Sequence, residues 1–210
     1  MKKCIAVLAA VLLIWAHGPA LAAKEVFHSE LMNWNLELPS SVTMLGEHAY
    51  DNGIVMFMVS TDQTRTQILS TLRYVDAYKG ETIRSLPKEE LDAWTSQFHA
   101  LYPRLSQGGR VWPSTNSDQR IYRYYGRSDE GVWVLNYTGV YDGVYVSTYG
   151  EAGRYGFTRA QMTAIFQAFN MLMAASCQAN GVDFQGYDED IFDVVVEYLL
   201  YDDRPDGPFA

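Results

Sequence analysis

Histidine and cysteine side chains, the usual bases and nucleophiles of enzymes, are sparse and scattered in this 210-residue chain. Beyond Ala22 only His28, His48, His99 and Cys177 remain, and no two histidines lie within four residues of each other. This spacing matches no HExxH, GxSxG, CxxC or phosphate-loop motif, so we expect no cofactor. Cys177 has no cationic neighbour in sequence, which predicts a buried, unreactive thiol. These residues favour a protein without enzymatic activity; a small periplasmic hydrolase with a site built from isolated residues is the alternative.

A second group of residues is suited to binding, and its arrangement depends on strand pairing. The sequence predicts a meander of three strands, at 120–127, 132–141 and 144–150. Asp142-Gly143 suits a two-residue type I′ turn, because both central residues need positive φ. That turn pairs Asn136 with Tyr149. A four-residue loop between the first two strands then places Arg123 opposite Asn136.

This register gives one face of the meander the character of a ligand-binding surface. Arg123, Asn136 and Tyr149 form a row across three strands, and the row is flanked by Tyr125 and Tyr145. A planar cation, an amide and tyrosine rings suit an anionic or sugar-like ligand, held by hydrogen bonds and stacking. The simpler alternative is a solvated mixed face, which antiparallel sheets commonly present. A one-residue slip in register would move Arg123 to the other face.

The C-terminal sequence GVDFQGYDEDIFDVVVEYLLYDD, residues 181–203, places carboxylates on both sides of an apolar middle. These acids lack the Asp-x-Asp-x-Asp-Gly spacing of a calcium loop, so we predict no metal site. A helix from about residue 189 would bring together a set of apolar side chains: Ile191, Phe192, Val195, Tyr198 and Leu199. Such a surface either covers the protein's own sheet or docks on a partner protein. A β-strand remains open as well, because VVVEYLL is rich in β-branched residues.

The net charge of −9 is concentrated in the same C-terminal extension. Residues 183–210 carry nine acidic side chains against Arg204, a net charge of −8, whereas the preceding body is nearly neutral. Nucleic-acid binding requires a basic surface. Nucleic acid is therefore excluded as a partner class.

Residues 1–22 have the layout of a secretory signal peptide. Lys2 and Lys3 precede an apolar run from Ile5 to Ala16, and Ala20-Leu21-Ala22 fits the small-x-small cleavage pattern. The run is too short for a permanent membrane span. We therefore expect cleavage after Ala22 or Ala23, a periplasmic or secreted location, and no transmembrane segment in the mature chain.

The remaining patterns predict one α+β domain at residues 23–180, followed by the acidic extension at 181–210. A first helix begins near Ser85 and has apolar residues at helical spacing. A second begins at Thr158, which forms a capping box with Gln161, and ends at Gly181. The order of strands, helix, strands and helix favours an antiparallel sheet packed by two main helices.

Three segments resemble the PsbP/DcrB-like family of exported and thylakoid-lumen proteins. WNLELPSSV at 34–42 is similar to the family's opening strand and proline turn. GVWVLNYTGVYDGVYVSTYG, followed by TRAQMTAIFQAFNML, is similar to its closing hairpin and last helix. The resemblance covers about residues 27–175, although the family's usual aromatic residue soon after the first proline turn is absent. It implies an αβα sandwich and an accessory or binding role, and it brings no catalytic residues.

These observations predict an exported bacterial protein that binds an envelope protein or a small ligand. A structural subunit of an envelope complex is a further alternative. That alternative predicts co-purification with the complex, lost on deletion of residues 183–210.

Overall fold

The computed structural model describes residues 25–113, 120–184 and 186–187. The signal-peptide prediction concerns residues outside these ranges, as does the apolar surface predicted at Ile191, Phe192, Val195, Tyr198 and Leu199.

Nine strands and two helices make up the described part of the chain. They are β1 (Val26–Ser29), β2 (Trp34–Glu37), β3 (Val42–Tyr50), β4 (Gly53–Ser60), β5 (Gln67–Tyr74), α1 (Lys88–Leu101), β6 (Arg104–Pro113), β7 (Arg120–Arg127), β8 (Trp133–Tyr141), β9 (Val144–Ala152) and α2 (Arg159–Ala179). A 3₁₀ turn, Asp76–Tyr78, follows β5. β1 and β2 form a hairpin, and the other strands form one antiparallel sheet in the order β3-β4-β5-β9-β8-β7-β6.

Helices cover the sheet on both faces, which confirms the predicted α+β class in the form of an αβα sandwich. On one face, Phe166 and Phe169 of α2 lie 5.5 Å and 6.0 Å from the ring of Tyr137 in β8. On the other face, Trp94 of α1 lies 5.4 Å from Tyr122 and 5.7 Å from Tyr145. Successive strand residues point to opposite faces, so each face carries its own apolar layer.

Glycines in β8 and β9 allow α2 to approach the sheet closely. A Cβ at Gly139 would lie 2.7 Å from Tyr187 Oη and 3.0 Å from Phe169 Cζ. A Cβ at Gly150 would lie 2.7 Å from Ile165 Cδ1. Any larger residue at these two positions would push the helix away from the central strands.

The capping box predicted at the start of α2 is confirmed. Thr158 Oγ1 accepts a hydrogen bond from Gln161 N at 3.3 Å, and Thr158 N donates to Gln161 Oε1 at 2.6 Å. Gln161 Nε2 also donates to Thr66 Oγ1 at 2.7 Å, which ties the start of the helix to the β4–β5 loop.

We expect Thr158→Ala to lower the free energy of unfolding by about 1 kcal/mol, because it removes the acceptor for an otherwise unpaired helix N–H. Urea denaturation followed by circular dichroism measures this change. Thr163→Ala is the matched control, since it makes the same substitution inside α2, where alanine is the better helix former. Equal losses of stability from both variants would contradict the role of the cap.

Candidate functional site

The β8–β9 hairpin has the predicted register, whereas β7 is displaced from its prediction by one residue. Asn136 pairs with Tyr149 across the hairpin, as expected. Arg123, however, pairs with Tyr137 instead of Asn136. The cause is the β7–β8 loop, in which Ser128 N donates to Val132 O at 2.8 Å. That bond leaves a loop of three residues, whereas four were predicted. The last of the three is Gly131, and its φ of 87° is typical of a three-residue hairpin loop.

This displacement divides the five residues predicted to bind a ligand between the two faces of the sheet. Arg123 and Tyr125 lie on the α2 face, and each is 1% exposed. Asn136, Tyr145 and Tyr149 lie on the α1 face. The predicted row of Arg123, Asn136 and Tyr149 is therefore wrong as a single surface.

The side chain of Asn136, on the α1 face, is fully covered by its neighbours and takes part in a polar network. It is 0% exposed. Its amide nitrogen donates to Ser147 Oγ at 2.9 Å and Thr148 O at 3.2 Å, and its oxygen accepts from Thr138 Oγ1 at 3.0 Å. The network positions Ser147, whose hydroxyl also shares a 2.9 Å hydrogen bond with Thr138.

Arg73 of β5 is an arginine on the α1 face that the sequence prediction did not include. It pairs with Tyr145 of β9, and its Cζ lies 4.2 Å from the centre of the Tyr145 ring. A Cβ at Gly53 would lie 2.5 Å from Arg73 Cγ, so the arginine stem crosses β4 where a side chain is missing. The glycine and the tyrosine together fix the guanidinium over the sheet in a cation–π contact.

Cross-strand pairing places short side chains between two rows of longer ones on this α1 face. We call this feature the α1-side groove. Its floor is Val55, Thr71 and Ser147, one wall is Arg73 and Tyr145, and the other wall is Phe57, Leu69 and Tyr149. Same-face rows are two residues apart along a strand, so the walls are separated by about 13 Å. All eight residues are half-buried except Tyr145, which is buried.

Helix α1 closes one end of the α1-side groove. Trp94 lies 5.7 Å from Tyr145, and Phe98 lies 6.5 Å from Tyr149. These two residues are one helical turn apart and therefore project from the same side of α1. Trp94 Nε1 donates to Glu90 Oε1 at 3.2 Å, and the Tyr78 hydroxyl donates to the same oxygen. The end wall is thus held by hydrogen bonds as well as by packing.

The groove combines the Arg73 guanidinium and hydroxyl groups with the Glu90 carboxylate, which accepts hydrogen bonds from Trp94 and Tyr78 at the end wall. Burial raises the pKa of Tyr149 above its usual range, so this phenol is a neutral hydrogen-bonding group at physiological pH. The guanidinium of an arginine is a cation at any physiological pH. Arg73 Nε is buried and has no hydrogen-bond partner within the described part of the chain. The groove therefore presents positive charge and a donor beside hydroxyl groups and aromatic rings, which suits an anion.

Cys177 lies in the interior of α2 and is 0% exposed. Burial raises the pKa of its thiol to about 12. We expect an aromatic disulfide reagent to label Cys177 slowly at neutral pH in native protein that begins at Ala23, because the thiol is buried and protonated. Labelling should become fast in denaturant, and absorbance of the released thiolate measures both rates. Native labelling at neutral pH that is as fast as labelling in denaturant would contradict the burial.

Comparison with known proteins assigns this chain to no family. No family model matches the sequence, and a search of curated proteins finds no match. Within the described ranges, no three histidine, cysteine or acidic side chains are grouped as a metal site. In the same ranges, neither helix is long and apolar enough to cross a membrane.

Proposed function

We propose that this chain is an exported, non-enzymatic binding protein of the cell envelope, and that the α1-side groove holds an acidic, sugar-like ligand. One observation carries the proposal: Arg73 lies stacked on Tyr145 with a buried Nε donor, in the wall of a half-exposed groove. A buried donor without a partner costs free energy. A carboxylate that accepts from Arg73 would remove that cost.

The remaining groove residues favour a ligand that carries hydroxyl groups and an apolar face besides its carboxylate. Thr71 and Ser147 line the floor with hydroxyls, which can both donate and accept hydrogen bonds. Phe57 and Tyr149 form the opposite wall with half-exposed aromatic rings. A pyranose ring that bears a carboxylate has these three features. A charge-assisted bond to the guanidinium would be the strongest single contact.

The chemistry of the groove favours binding over the alternative of a hydrolase. General acid–base catalysis at neutral pH needs a group that titrates near neutrality. An arginine side chain keeps its charge throughout the neutral pH range, and burial raises the pKa of Tyr149 further from neutrality. The guanidinium of Arg73 and the phenol of Tyr149 thus suit recognition, and neither suits proton transfer at neutral pH.

Two sequence features support an envelope location and an accessory role. The secretory layout of residues 1–22 favours export. The resemblance to PsbP/DcrB-like proteins favours a role as an accessory or binding protein.

Calorimetric titration of the chain beginning at Ala23 with galacturonic acid trisaccharide tests the proposed ligand class. We expect binding that weakens as salt is raised, since an exposed charge contact is screened. Galactose trisaccharide is the matched control, because it differs only in carrying a neutral CH₂OH group in place of each carboxylate, and it should bind at least tenfold more weakly. Equal affinity for the two sugars, or no binding of the acidic one, would contradict the proposal.

A further inference from the structure

The α1-side groove is closed by α1 at one end, and its opposite end lies at β3. Among the described residues, β3 is an edge strand of the seven-stranded sheet. His48 pairs with Val55 of the groove floor, and Tyr50 pairs with Gly53, the residue that the Arg73 stem crosses. Directly paired residues point to the same face of a sheet. His48 and Tyr50 therefore continue the floor and one wall of the groove onto β3.

The imidazole of His48 and the phenol of Tyr50 lie side by side at this end of the groove. Their ring centres are 4.7 Å apart, and the rings meet edge to face at 71°. His48 is exposed, and Tyr50 is 53% exposed. An exposed tyrosine ring offers an apolar surface to the face of a sugar ring, and an imidazole beside it can exchange hydrogen bonds with sugar hydroxyls. The pair therefore has the chemistry of a sugar-binding position.

The β1–β2 hairpin is attached to the opposite face of β3. Glu47 pairs with Met56, which is buried in the same core as the apolar residues of α2. Glu47 Oε2 accepts a hydrogen bond from Ser29 Oγ at 2.5 Å, and Glu47 Oε1 accepts one from Leu31 N at 3.0 Å. These bonds hold the hairpin and the Glu47 carboxylate on the α2 face. The carboxylate that precedes His48 in the sequence therefore faces away from the groove.

The second wall of the groove ends at a glycine on β3. Gly46 pairs with Phe57 of that wall. In the described part of the chain, nothing but its own chain neighbours lies within 4 Å of the position that a Cβ of Gly46 would take. A β-bulge between Met44 and Gly46 also interrupts the ladder of β3, and bulges on edge strands disfavour the addition of another strand. This end therefore suits a ligand that lies on the face of the sheet better than it suits a further strand.

The length of the groove exceeds that of one sugar ring. β9, β5, β4 and β3 are successive strands of the sheet, so three strand spacings, about 14 Å, separate Ser147 from His48. A single sugar whose carboxylate is held by Arg73, with its ring over Thr71 and Ser147, leaves His48 and Tyr50 uncovered. A ligand that touches both positions must contain more than one sugar unit.

We propose that the ligand of the α1-side groove is an oligosaccharide, and that His48 and Tyr50 form an outer subsite for a second sugar unit. This inference rests on the proposed function, because it extends the same groove. It narrows the ligand class from an acidic sugar to a segment of an acidic polymer that lies across β9, β5, β4 and β3. Tyr50 stacks on the apolar face of the outer unit, and His48 forms hydrogen bonds with its hydroxyls.

Chemical-shift titration of the ¹⁵N-labelled chain beginning at Ala23 locates the outer unit in the wild-type protein. Galacturonic acid and its trisaccharide are the two probes, and this method measures weak as well as strong binding. We expect both sugars to shift the amide of Arg73 and only the trisaccharide to shift those of His48 and Tyr50. Trisaccharide binding that shifts Arg73 and leaves His48 and Tyr50 unchanged would overturn the outer subsite.

Substitutions at β3 test the contribution of the outer subsite to affinity. We expect Tyr50→Ala to weaken binding of the trisaccharide by about tenfold and to bring its affinity close to that of the monosaccharide. His48→Ala should act in the same direction. Tyr155→Ala is the matched control, because Tyr155 is 87% exposed in the loop between β9 and α2, and it should leave the affinity for both sugars unchanged.

Failure of the outer subsite and failure of the proposed function give different results in these titrations. Unchanged trisaccharide affinity in both Tyr50→Ala and His48→Ala, with Arg73→Gln still weakening binding, would overturn the outer subsite and leave the proposed function standing. Binding of neither sugar to the wild-type protein would overturn the proposed function, and the outer subsite with it.

Discussion

Phe169→Ala is expected to lower the free energy of unfolding by about 3–5 kcal/mol, because it empties the centre of the contact between α2 and the sheet. Phe169 is 0% exposed. Its ring lies 6.0 Å from Tyr137 and 5.2 Å from Tyr187. One substitution therefore removes packing from the helix, from β8 and from the segment that leads to the C-terminal extension.

Guanidinium denaturation with both fluorescence and circular dichroism measures the loss from Phe169→Ala. Leu101→Ala is the control, since Leu101 is 68% exposed at the end of α1 and surface substitutions change stability by roughly 0.5 kcal/mol or less. A loss below about 1 kcal/mol for Phe169→Ala would contradict the packing of α2 on the sheet, because a buried phenylalanine costs several times more to remove.

Arg73→Gln is expected to weaken binding of an acidic sugar by roughly 10- to 100-fold. Hydrogen bonds to charged groups contribute about 1.5–3 kcal/mol, and each 1.4 kcal/mol is about tenfold in affinity. The fold should survive, because the arginine stem lies over Gly53 at a half-exposed position. Arg73→Lys should lose part of the affinity, since lysine keeps the charge but lacks the planar fork.

The matched control for Arg73→Gln is Arg127→Gln. Arg127 is also stacked on an aromatic ring, with its Cζ 5.3 Å from the centre of Trp133, but it lies on the α2 face. Calorimetry should show unchanged affinity for Arg127→Gln. Equal weakening by both substitutions would mean that net charge, and not the α1-side groove, attracts the ligand.

Features encoded over a few neighbouring residues were predictable from the sequence. The turn at Asp142-Gly143 depends on the φ preferences of two residues, which are 44° and 85° in the structure. The capping box of Thr158 and Gln161 depends on a spacing of three. These signals identified the hairpin and the start of α2, whereas the α+β class followed from the order of strands and helices along the chain.

The position of the groove was not predictable, because it depends on pairing between distant strands. Arg73 lies in β5 and Tyr145 lies in β9, and α1 and three strands separate β5 from β9 in the sequence. No turn connects these two strands directly, so no turn sets their register. The β7 register also failed, because three- and four-residue loops both suit the stretch that ends at Gly131. Every residue of β8 except Tyr141 is buried, so apolar alternation could not reveal the error.

Chemical-shift mapping of the ¹⁵N-labelled chain beginning at Ala23 during titration with galacturonic acid trisaccharide tests the central claim most directly. The predicted result is a saturable set of shifts centred on the amides of Thr71, Arg73, Ser147 and Tyr149. Shifts centred on Arg123 and Tyr125, on the opposite face, would contradict the claim, as would a spectrum that the acidic sugar leaves unchanged.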